Sequence, residues 1–287
     1  MSRRIVLVLA ISVAVVSGAA ALVWLHAGGA GKAVVNFTPD PGGKADVPPA
    51  AKGEPVRAAA GKSSLPAAAF APPSGEVLEF SGSVAKVNNV ASLRLQVNGK
   101  KQMGGREAWH LQGFAHTQSP LRLVFELDDQ FDSYSAPGDF TSVQYEMHLS
   151  ERGQKVESIQ RMTTTGREAA PPGTTETRVL PGTRDPLGMM QYLRSIDWAR
   201  TRQVRGPVYD GRKLYEVRVE KIGSAEVRVP AGSFSTNTVE IKVFDNGTEM
   251  KDAHFTLYLA KDAARTPVLL EAVLPFAAAR VELRKKQ

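Results

Sequence analysis

The chain of 287 residues is long enough for one or two domains, and its hydrophobic content of 43% is that of an ordinary globular protein. It contains no cysteine, which excludes disulfides, thiolate zinc sites, a cysteine nucleophile and a lipidated N-terminal cysteine. After Gly75 the 29 basic residues face 26 acidic ones, and this small net charge argues against a nucleic-acid-binding domain.

The N-terminus has the pattern of a membrane segment. Arg3 and Arg4 precede an apolar run, residues 5–25, in which serine is the only polar residue type. As a helix these 21 residues would span about 32 Å, roughly one hydrocarbon core. The run is long for a signal peptide, and Trp24 suits an interfacial anchor, so residues 1–26 are interpreted as an uncleaved anchor. The small residues 17–21 keep a cleaved signal open as the alternative.

Basic residues before a membrane segment stay in the cytoplasm, so everything after this segment is expected to be exported. In a Gram-negative source the compartment would be the periplasm, with the protein held at the inner membrane or released if the segment is cleaved.

Residues 27–75 have the composition of a disordered linker. Ala, Gly and Pro account for 29 of these 49 residues. Such a composition blocks regular structure, and a flexible coil of this length would separate its ends by about 40 Å. The segment is predicted to tether a folded domain, residues 76–287.

That domain is predicted to be mainly antiparallel β-sheet. Apolar and polar residues alternate along about ten segments, among them 121–127, 143–149, 215–219, 239–243 and 255–259. The dipeptides Asn98-Gly99, Asp210-Gly211, Asn246-Gly247 and Arg152-Gly153 are typical of tight hairpin turns. Strands with one apolar face must curl into a barrel or half-barrel, or stack as a sandwich.

A single helix interrupts this pattern at about 185–196. Asp185 is a candidate N-cap, and Pro186 suits the first helical position. Leu187, Met190 and Leu193 recur on one side, so the helix is expected to cover the open side of a curled sheet.

Several motifs in this part of the chain resemble an exported bacterial family known as domain of unknown function 3108. They are Asp185-Pro186-Leu187 leading to Tyr192-Leu193-Arg194, then the segments 208–215 and 229–234 (Val-Pro-Ala-Gly-Ser-Phe), and finally 258–268. The resemblance covers about residues 75–283. It implies a curved periplasmic β fold similar to lipoprotein-carrier proteins, with no established activity and no catalytic residues.

No pattern in the sequence indicates catalysis, a cofactor or a metal. The histidines lack ligand spacing and are expected to be solvated or bonded locally. The acidic run 126–132 lacks the glycine and periodicity of a calcium loop and is expected to be a strand end with solvated carboxylates. Nucleophile-elbow, Walker and Rossmann signatures are missing from the sequence. The protein is therefore predicted not to be an enzyme, with a hydrolase as a distant alternative.

The most concrete hypothesis is binding of a hydrophobic or lipid-like ligand in the curved sheet. Adaptable side chains on the helix would contact its apolar part, and the arginines at and after the helix would engage an acidic head group. The candidate residues are Met189, Met190, Tyr192, Leu193, Arg194, Arg200, Arg202 and Arg205. The simpler interpretation is that the core is filled by its own side chains and that the arginines are solvated. The alternative function is that of a tethered module that binds an envelope protein partner.

Overall fold

The computed structural model describes residues 70–165, 172–273 and 278–287. The predicted membrane segment and nearly all of the predicted linker lie outside the described residues. Across the described ranges, no helix combines the length and the apolar character needed to cross a membrane.

The described chain forms thirteen strands, one α-helix and a short 3₁₀ helix at Leu121–Leu123. The first seven strands are β1 Val77–Val84, β2 Val87–Met103, β3 Arg106–Thr117, β4 Asp128–Ser135, β5 Ser142–Glu151, β6 Gln154–Thr163 and β7 Thr175–Arg178. Helix α1, Pro186–Ser195, follows. The remaining strands are β8 Gln203–Tyr209, β9 Leu214–Val229, β10 Gly232–Asp245, β11 Thr248–Ala260, β12 Pro267–Val273 and β13 Ala278–Lys286.

All thirteen strands belong to one sheet with the order β7-β6-β5-β4-β3-β2-β1-β13-β12-β11-β10-β9-β8. Every neighbouring pair is antiparallel except β6 and β7. Most neighbours also follow one another along the chain, as expected when tight turns connect the strands. The prediction of a mainly antiparallel β-domain with one helix is confirmed.

The segment before the helix shows that this sheet curls. Arg184 N–H donates to the Pro207 carbonyl (3.1 Å) and Tyr209 N–H donates to the Arg184 carbonyl (2.8 Å), which attaches the segment to edge strand β8. On its other side, Ser142 N–H at the start of β5 donates to the Thr183 carbonyl (3.0 Å). Both halves of the sheet therefore meet the same short segment, although no strand pairing in the described chain closes the barrel.

Helix α1 lies inside this curl and is capped from the sheet. The Asp185 carboxylate accepts from Gly188 N–H (2.8 Å), and its second oxygen accepts from the Ser133 hydroxyl (2.6 Å) and from Ser142. An N-cap of this kind satisfies a backbone donor that the first turn leaves free. The predicted helix at about 185–196 is confirmed, and most of its side chains are buried against the sheet.

The hairpin predictions were right at three of four dipeptides. Arg152-Gly153 and Asn246-Gly247 both have positive φ values and connect consecutive strands, and Asp210-Gly211 lies in the connection from β8 to β9. The prediction for Asn98-Gly99 was wrong. Gly99 does have a positive φ of 86°, but it forms a bulge inside the long strand β2, where the register with β3 shifts between Val97 and Lys100.

The alternating segment 121–127 was wrongly predicted to be a strand. Leu121 is buried in a 3₁₀ turn, whereas Leu123 is 83% exposed. Thr117 explains the looped path, because its hydroxyl donates to the Phe125 carbonyl (2.9 Å) and accepts from Leu127 N–H (3.0 Å). These bonds fold the segment back on the end of β3, where a strand would have extended away from it.

The acidic run 126–132 also departs from expectation. Its last five residues begin strand β4, and Asp129 and Asp132 are both buried where solvated carboxylates had been predicted. Asp129 lies on the inner face with Phe131, and Asp132 lies on the opposite face.

Candidate functional site

A groove of about 390 Å³ opens beside the edge strand β8. Its apolar lining includes Leu180, Pro207, Leu214 and Phe244, and its polar lining includes Arg205 and Glu216. The turn from β10 to β11 forms one border. This volume lies within the range of small-molecule pockets, and apolar walls with few polar groups are typical of them.

Arg205 lines this groove, and Arg218 lies next to the lining residues Phe244 and Glu216. Arg205 in β8 is the register partner of Arg218 in β9, so two positive charges face each other across neighbouring strands. The Arg218 guanidinium lies over the Phe244 ring at 3.9 Å, and its Nε donates to Glu216 (2.5 Å). Like charges directly opposite each other are unfavourable, and a bound phosphate or carboxylate would relieve their repulsion.

One groove residue, Tyr215, has a buried hydroxyl without a partner. Within the described residues this hydroxyl makes no hydrogen bond; the Asp245 carboxylate is partly exposed and paired with Lys213 through Oδ2, but its Oδ1 is buried and also lacks a partner. Burial, together with the negative charges of Asp210 and Asp245, raises the pKa of Tyr215, so the phenol keeps its proton. Buried donors are nearly always bonded, so a water or a polar ligand group would be favoured there.

Of the residues named from the sequence, only Arg205 lines this groove. Arg218 and Phe244 were missed, because their proximity depends on the register of β8, β9 and β10. Arg200 and Arg202 are exposed and lie outside the groove lining.

The predicted helix residues lie in the interior of the sheet. Met189 and Leu193 are buried in the core, and Tyr192 carries the Arg184 guanidinium 3.7 Å above its ring. Met190 contacts a cavity of about 10 Å³, which has room for no more than about one water. At Met190, the space between the helix and the sheet is therefore nearly filled by side chains.

Arg194 is engaged in a buried ion pair. Its guanidinium donates to both carboxylate oxygens of Glu76 (2.7 and 2.9 Å), to the Gln191 side chain (3.0 Å) and to the Ala264 carbonyl. Only 1–2% of either charged side chain is exposed. This saturated fork anchors the helix to the start of β1 and leaves no donor directed at a ligand.

Residues 80–284 match the family described as "Protein of unknown function (DUF3108)". The match confirms the resemblance inferred from the motifs at 185–194 and 229–234. No match was found among curated proteins.

Three solved structures are similar to this chain. A β-barrel-like protein of domain of unknown function DUF1849 from Brucella abortus is 11% identical, with a TM-score of 0.48 over 76% of this chain and 99% of that one. A candidate lipoprotein from Parabacteroides distasonis is 14% identical, with a TM-score of 0.37 over 76% and 97%. A candidate exported protein with a YmcC-like fold from Bacteroides fragilis is 13% identical, with a TM-score of 0.37 over 76% and 98%.

Proposed function

This chain belongs to the family of proteins of unknown function DUF3108, and we propose that this member is an exported, non-catalytic envelope protein that binds an acidic, lipid-like molecule. The groove beside β8 is the observation that carries the proposal, because it combines apolar walls with the guanidinium group of Arg205 and has Arg218 next to it, over the ring of Phe244. Because side chains pack the interior next to α1, the groove is a better candidate for the binding site than the inside of the sheet.

The proposed location follows from the N-terminal sequence. The basic residues before the apolar run 5–25 would stay in the cytoplasm, and the linker would carry the β-domain into the periplasm. A domain tethered in this way at the inner membrane has acidic lipids within reach.

The chemistry of the groove fits such a ligand in two parts. Leu180, Leu214 and Phe244 offer apolar surface to an acyl or isoprenoid chain. Arg205 and Arg218 offer planar donor forks that match the oxygens of a phosphate or carboxylate.

The test is native mass spectrometry of the full-length protein, made in a Gram-negative envelope and extracted in mild detergent. We expect the wild type to retain a phospholipid or isoprenoid that is lost on denaturation. Arg205→Glu should reduce the lipid-bound fraction about tenfold, since a charge-assisted hydrogen bond contributes roughly 1.5–3 kcal/mol. Leu180→Asp should reduce it as well, because Leu180 is 56% exposed on the groove wall and can be replaced without disturbing the core.

Two matched variants control for charge alone. Arg202→Glu makes the same charge change at an exposed position outside the groove lining, and Ile222→Asp makes the same apolar-to-acidic change at a side chain that is 55% exposed. Both should retain the lipid. Equal losses in these controls, or a wild type that carries no extra mass, would overturn the proposal.

The competing function is a tethered module that binds an envelope protein. Exposed apolar side chains favour it at the end of the sheet where β1 turns into β2: Val87 (46% exposed), Leu123 (83%), Val124 (47%) and Val273 (64%). This end lies opposite the start of β1, where the linker joins the domain. A wild type without bound lipid would favour this second function.

A further inference from the structure

A second cluster of chemically active side chains lies outside the groove lining, on the outward face of β4, β5 and β6. Asp132 in β4 is the register partner of Glu146 in β5, and His148 in β5 is the partner of Glu157 in β6. We refer to Asp132, Glu146 and His148 as the Asp132 cluster. Each member offers one metal-ligating atom, and the three atoms lie within 4.8 Å of one another.

The distances within the cluster suit a single ion. His148 Nε2 lies 3.5 Å from Glu146 Oε2 and 3.9 Å from Asp132 Oδ2. Ligands bound at about 2.1 Å to a tetrahedral Zn²⁺ lie roughly 3.4 Å apart. Side-chain shifts of a few tenths of an ångström to about 1 Å would therefore bring the three atoms to bonding distance.

His148 is oriented by a carboxylate in the manner of a metal-bound histidine. Its Nδ1 is hydrogen-bonded to Glu157, so Nε2 is the nitrogen that faces Asp132 and Glu146. Carboxylate–histidine pairs of this kind fix the ring tautomer and raise the basicity of the free nitrogen toward a metal.

The two carboxylates are also held by partners outside the cluster. Asp132 Oδ1 accepts from His110 Nε2 (2.6 Å) and Gln112 Nε2 (2.7 Å), and Glu146 Oε1 accepts from Gln144 Nε2 (2.6 Å). The remaining oxygens, Asp132 Oδ2 and Glu146 Oε2, are turned toward His148. Oδ2 has one further contact, from Gln130 Nε2 (2.7 Å).

The burial of Asp132 also points to a cation. Asp132 is only 4% exposed although it lies on the face of the sheet opposite the core. Its two oxygens accept hydrogen bonds from His110, Gln112 and Gln130. A buried carboxylate beside a second carboxylate is stabilised by a neighbouring positive charge.

We propose that the Asp132 cluster binds a divalent first-row transition-metal ion of the Zn²⁺ type, with solvent completing the coordination. One imidazole nitrogen and two carboxylate oxygens are donors that such ions accept readily. The His148 side chain is 30% exposed, so the ion can reach the cluster from solvent. The histidines were expected from the sequence to be bonded only locally, and the convergence of Asp132, Glu146 and His148 depends on strand register.

The test is equilibrium dialysis of the untagged full-length protein against Zn²⁺, followed by metal analysis. The wild type should bind one Zn²⁺ per protein chain, at the Asp132 cluster. Glu146→Gln and His148→Asn should each weaken binding at least about tenfold, and Glu157→Gln, which affects a positioning residue, should weaken it about 10–100-fold.

His116→Asn is the matched control. His116 is also paired with a carboxylate, Asp128, but Arg122 joins that pair, and no described residue supplies a third metal ligand there. Thermal unfolding without Zn²⁺ will show whether each variant is folded. Absence of stoichiometric binding in the wild type, unchanged affinity in folded His148→Asn, or an equal loss in His116→Asn would overturn the proposal.

Discussion

At the scale of single residues, burial determines what each charged group does. Arg194 and Glu76 are both buried, so their pairing holds helix α1 against the start of β1. A buried ion pair of this kind stabilises the fold little more than apolar residues of similar volume would. Loss of one partner, however, leaves an uncompensated charge in the core. Arg205, which is exposed at the groove, is the arginine available to a ligand.

Asp129 provides a prediction about pH. Burial, with a smaller contribution from the charges of Glu151 and Asp128, raises its pKa from 3.8 to about 7, although Ser150 N–H donates to it at 2.9 Å. The unfolded chain releases this proton near pH 4 and the folded chain near pH 7. The folded state is therefore destabilised progressively as pH rises between these values.

Asp129→Asn should remove that penalty while keeping an oxygen to accept from Ser150. We expect the variant to gain stability over the wild type at pH 8, on the order of 1–3 kcal/mol, and little or none at pH 4. Urea denaturation at both pH values measures this difference. Asp128→Asn serves as the control with the opposite sign, because a hydrogen bond from Arg122 lowers the pKa of Asp128. A gain for Asp129→Asn that does not depend on pH would contradict the argument.

At the scale of elements, the local sequence patterns indicated the helix and most turns, but the register between strands could not be predicted from the sequence. The helix could be predicted because an N-cap, a proline and a 3.6-residue period agree over 185–196. Asn98-Gly99 carries the same local signal as a hairpin turn, yet it forms a bulge, because the actual turn lies six residues later at Gly104-Gly105. A dipeptide specifies a positive φ but not whether the chain reverses there.

The same limit applies to both sites. Arg205 could be named from the sequence, whereas Arg218 could not, because they become neighbours only through the pairing of β8 with β9. Asp132 and His148 are sixteen positions apart and converge only because β4 and β5 pair in one register. Alternation predicts which face a residue occupies, and the register that decides its neighbours depends on long-range packing.

Helix α1 gives a prediction in which two effects oppose each other. Alanine is favoured over glycine inside a helix by up to about 1 kcal/mol. At Gly188, however, a Cβ would lie 2.8 Å from the Phe140 carbonyl and 2.9 Å from the Ser135 hydroxyl. Because the nearest contact is backbone, Gly188→Ala should destabilise the domain by about 1–3 kcal/mol.

Chemical denaturation measures that loss, and Gly223→Ala is its control. Gly223 lies in β9, has no positive φ and has no atom within 4 Å of an added Cβ, so this variant should unfold close to the wild type. A stabilised Gly188→Ala would show that the helix can shift away from the sheet more easily than its cap suggests.

At the scale of the whole molecule, the tether and the groove involve different residues. The linker joins at the end where Phe70 packs edge-on to Phe140, with its ring 5.8 Å from Arg194 and 5.6 Å from Arg265. The groove lies beside β8, β9 and β10, and its lining includes neither Phe70 nor Phe140. The proposed ligand would thus be held by residues other than those that the tether contacts.

The helix and the groove can be separated experimentally because one supports the fold and the other is proposed to bind. Leu193 belongs to α1, and its side chain is only 2% exposed. Leu193→Ala should therefore lower the free energy of unfolding by about 2–5 kcal/mol, as measured by urea denaturation. The lipid-bound fraction of its folded molecules, measured by native mass spectrometry, should stay at the wild-type value. Leu180→Asp should show the reverse pattern, with stability within about 0.5 kcal/mol of the wild type and the lipid lost. Folded Leu193→Ala molecules that have lost their lipid would instead indicate that the ligand lies inside the sheet, against the helix.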